Sequence, residues 1–161
     1  MHSELRTLLY DAEVNYLQTS EVELFRAHIA SLQERLETYE CLREQEILIF
    51  QPIADQLVAA FPKENPQLLE QALKHWLSVL RYCAMAMLLN NPEFLQHRLL
   101  EWLTPLVQTH QMELLENSLG KLLLSRLQEV LSERQLALVH PFVEQAQTAV
   151  LDATALSEVS G

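Results

Sequence analysis

Few side chains in this chain stand at spacings that could do chemistry. Cys41 and Cys83 are the only thiols. Both fall inside apolar helical patterns, so they read as buried small hydrophobes of a reduced protein and not as a nucleophile or a disulfide pair. Of the six histidines, His28, His97, His110 and His140 make no i, i+4 pair or other metal-ligand spacing. His75 differs in company, because Lys74 and Trp76 flank it. The densest carboxylates, Glu34, Glu37, Glu40, Glu44 and Glu46, read together with Arg35 and Arg43 as the solvated face of one long helix. No G-x-S-x-G, no H-E-x-x-H, no Cys/His signature and no glycine-rich phosphate loop is present. The chain reads as a protein that is not an enzyme.

The elements that must hold these residues are helices. The chain has 161 residues, 49% of them apolar, which is one domain with a core of its own. It has two glycines, of which Gly161 is terminal, and a β-rich fold needs more. A mean hydropathy of +0.01 and a longest uncharged apolar stretch of only Tyr82 to Leu89 leave no membrane span. Met1 to Arg6 carries no apolar signal region, so a soluble cytoplasmic protein is expected. A net charge of −11 argues against nucleic acid and anionic membranes as partners.

Periodicity places a first helix over 3–15 and a second opened by a capping box at Ser20 and Glu23. Val22, Phe25, Ile29, Leu32, Leu36 and Tyr39 recur at steps of three and four, which predicts one buried face on a helix continuing to about Glu46. Pro52 suits the first turn of a helix ending at Ala60. The most apolar helix is expected over 67–89, with Leu69, Leu73, Trp76, Leu77, Leu80, Ala84 and Leu88 on one side. Further helices are expected over 93–108, 111–132 and 134–157. Pro105 is expected to start a new turn, Pro141 to kink or restart the last helix, and the tail after Ser157 to fray.

Four motifs in order resemble the phycobiliprotein family. Asp11-Ala12-Glu13 with Tyr16-Leu17, Ser20 and Glu23-Leu24 is similar to its D-A-E-x-x-Y-L-S-x-x-E-L opening. Asp55-Gln56-Leu57 with Pro62 resembles its D-Q-L-F-x-x-x-P. Leu80-Arg81-Tyr82 with Ala86 and Leu89 is similar to L-R-Y-x-x-x-A-x-x-x-G, and Arg98, Leu100 and Leu103 fall where the family carries R-C-L-x-x-L. The resemblance implies an all-α, globin-like bundle behind a two-helix N-terminal extension. It implies one domain over 1–161, with about 1–32 as an extension used for pairing and 33–157 as core. It also implies a head-to-tail pair in which Asp11 and Tyr16 of one subunit meet Arg81 and Tyr82 of another. The partner is then a second copy (a homodimer) or a phycobiliprotein-like subunit, with phycobilisome components or tetrapyrrole-pathway enzymes beyond it, in a cyanobacterial cytoplasm near the thylakoid surface. Where the family often has a Tyr three residues after R-Y, this chain has Met85.

The family's pigment chemistry does not carry over. Its bilin hangs by a thioether from the Cys of C-L-R-D, ten residues before the Tyr of R-Y. The run here is Ala72-Leu73-Lys74-His75, and Ala cannot form a thioether. Lys74 keeps a positive charge without the fork of Arg, and His75 replaces the carboxylate that meets the pyrrole nitrogens. The glycine-rich loop ahead of the helix is cut to Lys63-Glu64-Asn65-Pro66. No covalently bound cofactor is expected. Two functions follow: a pigment-free interaction or regulatory module, or a sensor or carrier holding haem or bilin non-covalently through His75 and Lys74. A third is a stress-sensing globin-like module with an apolar cavity.

Overall fold

The computed structural model describes residues 3–106 and 113–159. Among them are seven helices and no strand: α1 (Ser3–Val14), α2 (Thr19–Glu44), α3 (Glu46–Ala60), α4 (Pro66–Leu89), α5 (Pro92–Leu106), α6 (Glu113–Val130) and α7 (Glu133–Val159). The expected all-α architecture is the one observed.

Helix α4 is the axis of the bundle. Asn65 accepts a hydrogen bond from the Gln67 amide at 3.0 Å and Pro66 occupies the first turn, so capping and a preset φ start the helix together. Asn90 ends it in the left-handed region at φ 48°, ψ 49°. Between these ends α4 packs against α2, α3, α5, α6 and α7. Its buried set is Leu69, Ala72, Trp76, Val79, Leu80, Cys83, Ala84, Ala86 and Met87. The expected one-sided stripe is therefore too narrow: Leu73, Leu77 and Leu88 are only half-buried, and the second half of α4 is covered on most of its circumference. Helix α7 closes the core with Val139, Phe142, Val143, Ala146 and Val150.

Helix α2 departs most from its expected form. Its capping box lies two residues early: the Gln18 backbone is extended, and its N–H donates to Glu21 Oε2 at 2.7 Å. Thr19 is already helical, so Ser20 cannot cap, and Glu23 pairs with Arg26 at 3.3 Å instead. Most of the stripe expected to be buried is exposed: Val22, Phe25, Ile29, Leu32 and Leu36 are 36–53% accessible, and Tyr39 alone is half-buried against the core. The face turned inward carries Arg35, Thr38 and Leu42. Arg35, expected in solvent, is buried, and its Nε donates to the Ser31 carbonyl at 3.2 Å. Burial pushes its pKa down. The helix breaks at Gln45, so Glu46 begins α3 and does not extend the α2 carboxylate row.

Three prolines, Pro52, Pro105 and Pro141, are carried inside helices. Pro52 lies in the middle of α3, not in its first turn. It cannot donate to the Leu48 carbonyl one turn back. Arg126 of α6 fills that place, its Nε and Nη2 donating to Leu48 O at 3.2 and 3.0 Å. Pro105 sits in the last turn of α5 instead of opening a new one, since buried Leu95 and Leu99 keep the helix in register up to it. Helix α7 runs unbroken through Pro141, whose neighbours Phe142 and Val143 are buried. The same helix reaches Val159, past the expected end at 157. Residues 107, 108, 111 and 112 of the expected helices, His110, and the side chains of Leu100 and Leu103 lie outside the described residues.

Candidate functional site

The run aligned with the pigment attachment lies on the first half of α4, where 100° per residue sends neighbours to different sides. Ala72 and Trp76, one turn apart, both point into the core with accessibilities of 0 and 1%. Lys74 points outward and pairs with Glu70, whose carboxyl it holds below the usual carboxylate range by hydrogen bond and charge. His75 turns to α6, its Nδ1 3.6 Å from Glu116 Oε1 and its side chain 11% exposed. Trp76 Nε1 donates to Glu116 Oε2. His75, Trp76 and Glu116 are therefore brought together, and Lys74 is left apart from them.

Glu116 is the residue the sequence reading missed. It is 1% exposed, and a carboxylate removed from water is costly unless it is paired and hydrogen-bonded. Its signal is its phase, because positions 116, 119, 123 and 127 form the inward stripe of α6 and a Glu in that stripe is out of type. A cavity of about 160 Å³ adjoins it, bounded by Trp76, Asn117, Gly120 and Gln147 among others. A Cβ on Gly120 would come to 3.0 Å from Gln147 Nε2 and 3.2 Å from Trp76 Cη2, so a larger residue there requires the Gln147 side chain or the indole to give by a few tenths of an ångström.

These residues do not fit a tetrapyrrole. The attachment position is a wholly buried methyl group, and the cation expected to hold a propionate is engaged at the surface. The adjoining cavity is smaller than the roughly 300–1,000 Å³ of small-molecule sites, and neither Ala72, Lys74 nor His75 lines it. Cys83 offers no alternative anchor, since burial pushes its thiol far above the ordinary range. Cys41 is half-buried on α2.

The four residues expected at a pairing surface fall into two groups. Asp11 is exposed on α1, and Tyr16, in the turn before α2, is 97% accessible. Glu4 ties α1 to α2 through His28 Nε2 at 3.1 Å. Around them stand more uncovered apolar side chains, Leu9, Tyr10 and Val14, at 52, 63 and 81%, continuous in sequence with the exposed stripe of α2. The second group, Arg81 and Tyr82, lines a groove of about 430 Å³ between α2, α4 and α5. Its floor includes Leu42, Leu80 and Ala84; Tyr39, Met85 and Phe94 also line it. None of its lining residues comes from α1.

Three arginines edge the groove: Arg43, Arg81 and Arg98. The Arg98 guanidinium lies over the rings of Phe94 and Tyr82, 5.6 and 5.8 Å from their centroids. Arg81 is gripped by Glu46, with Nε to Oε1 at 2.7 Å and Nη2 to Oε2 at 3.0 Å. That contact holds its pKa above the ordinary value. Among the described residues no helix is long and apolar enough to cross a membrane, and no three His, Cys, Asp or Glu gather as a metal site.

The family model described as phycobilisome protein matches residues 8–150. No curated protein and no solved structure matches the chain.

Proposed function

The chain belongs to the phycobilisome protein family, and from that premise we propose that it is a pigment-free, non-catalytic member that works by pairing. The observation that carries this reading is an extension rich in uncovered apolar surface on the same chain as an apolar groove that α1 does not fill. Val14 at 81% and Tyr16 at 97% exposure are large apolar groups that water solvates poorly. The groove beside Arg81 and Tyr82 has the size and lining to take such side chains. Asp11 and Glu13 give the extension negative charge, and three arginines against one acid, Glu46, line the groove, so the two surfaces differ in sign of charge and share apolar character. A second copy supplies both surfaces, and so does another phycobiliprotein-like subunit. The pair then serves assembly, turnover or regulation of the light-harvesting antenna, or of the bilin and haem supply, in the cytoplasm near the thylakoid.

Light scattering of the purified protein tests the pairing. Asp11→Lys and Arg81→Glu are each expected to shift the mass toward the monomer, and the charge-swapped double variant to recover the pair. Single variants that keep the wild-type mass refute the assignment. Titration with haem and with biliverdin is expected to leave the spectra of both pigments unchanged, and a Soret or red-band shift refutes the pigment-free reading.

A further inference from the structure

We propose that Glu46 is a built-in restraint on pairing, because it occupies the arginine that a second copy must reach. The inference rests on the pairing reading above. Glu46 opens α3, where the amide dipoles of the first turn favour a carboxylate. Its side chain is 27% exposed against 62% for Arg81, so Glu46 is the anchored member and Arg81 the reaching one. The two bonds, 2.7 and 3.0 Å, form a side-on fork that uses the Nε edge of the guanidinium.

The other arginines of the groove are held differently. Arg98 pairs with Glu101 at 3.3 Å and Arg43 with Glu44 at 3.6 Å, and neither acid lines the groove. Glu46 does. A carboxylate approaching Arg81 therefore meets a neutralised guanidinium with a like charge beside it. It must take the remaining Nη1 edge against that charge or displace Glu46 altogether. In a chain of net charge −11 two copies already repel, so a further negative charge inside the contact weighs against association. Free Arg81 is the competent form, and the apparent affinity falls by the fraction of chains in which it is free.

Sedimentation velocity on the full chain tests this with Glu46→Gln, Asp11→Asn and their double variant. Glu46→Gln is expected to tighten pairing by roughly 1.4- to fivefold, the scale of one exposed ion pair. Asp11→Asn is expected to weaken it, and by a larger factor in the Glu46→Gln background, where Arg81 is free to answer Asp11. The Arg81 Nε–H resonance should also move in the Glu46→Gln monomer. If the wild type pairs and Asp11→Asn weakens it, while Glu46→Gln leaves the dissociation constant unchanged or raises it, the restraint is refuted and the pairing stands. If neither wild type nor Glu46→Gln pairs at any concentration, the pairing is refuted and the restraint with it. Should Glu46→Gln fail to fold, Glu46→Ser removes the carboxylate while keeping a side chain suited to a helix start, and carries the same expectation.

Discussion

Ala72 is where a single atom decides the chemistry and its surroundings decide whether the atom could be restored. The side chain is wholly buried on the core face of α4, one turn before Trp76, whose indole is fixed by Glu116. A sulfur placed there would be shielded from both pigment and solvent. Ala72→Cys, produced together with a bilin supply and an attachment enzyme, is therefore expected to yield no covalent adduct, as read by zinc-enhanced fluorescence of the denatured band. A fluorescent band at the protein's mass contradicts that. The extra atom in a filled core should also cost about 1–3 kcal/mol of stability. On the pigment-free reading proposed above, the loss is distributed over attachment, propionate contact and pocket wall. Lys74, read in sequence as a remnant of the old site, contributes to none of them, because its own turn of helix aims it at Glu70.

At the scale of elements, α3 shows how a helix carries a residue unsuited to its interior. Pro52 leaves the Leu48 carbonyl without its intrahelical donor, and Arg126 supplies two N–H groups from α6. The contact also pins α3 to α6 (their apolar faces already pack together). Arg126→Ala is expected to lower stability by about 0.5–1.5 kcal/mol, the net worth of the lost bonds at an exposed carbonyl that water can then solvate. Pro52→Ala should stabilise more in the Arg126→Ala background than in wild type, because it returns the helical donor to Leu48. Urea unfolding of the four-member cycle measures the coupling, and additivity within about 0.3–0.5 kcal/mol would remove the compensation argument. The proline was visible in the sequence and its compensation was not, since residues 48 and 126 meet only in the folded bundle.

Among the described residues the molecule is an all-α, phycobiliprotein-like bundle with one core cluster whose members range from Leu42 to Val150. The protein without added pigment should unfold in one cooperative step, with the helical circular dichroism and the Trp fluorescence transitions coincident. Pairing adds a second expectation: the melting temperature should rise with protein concentration, because a partner that binds only the folded chain stabilises it by mass action. A melting temperature flat over a hundredfold range of concentration would mean that the exposed extension is not covered in solution.

Fold class, the number of helices and most of their limits were legible from periodicity and turn residues, because both are local properties of the chain. The stripe Val22, Phe25, Ile29, Leu32 and Leu36 shows where that legibility stops. Its spacing correctly gives one apolar face on a helix, yet the face is exposed in the single chain. Periodicity states that a face is apolar and says nothing of which molecule covers it. Glu116 shows the complementary limit. Its position in an apolar stripe was readable, but its junction with Trp76 and His75 spans 40 residues of sequence and exists only where α4 and α6 cross. Arg81 was singled out by its motif, whereas Glu46, 35 residues earlier, became its holder only when α3 was laid beside α4. Local spacing determines which residues share a face; long-range packing alone decides which faces meet, and so which charges are already spent before any partner arrives.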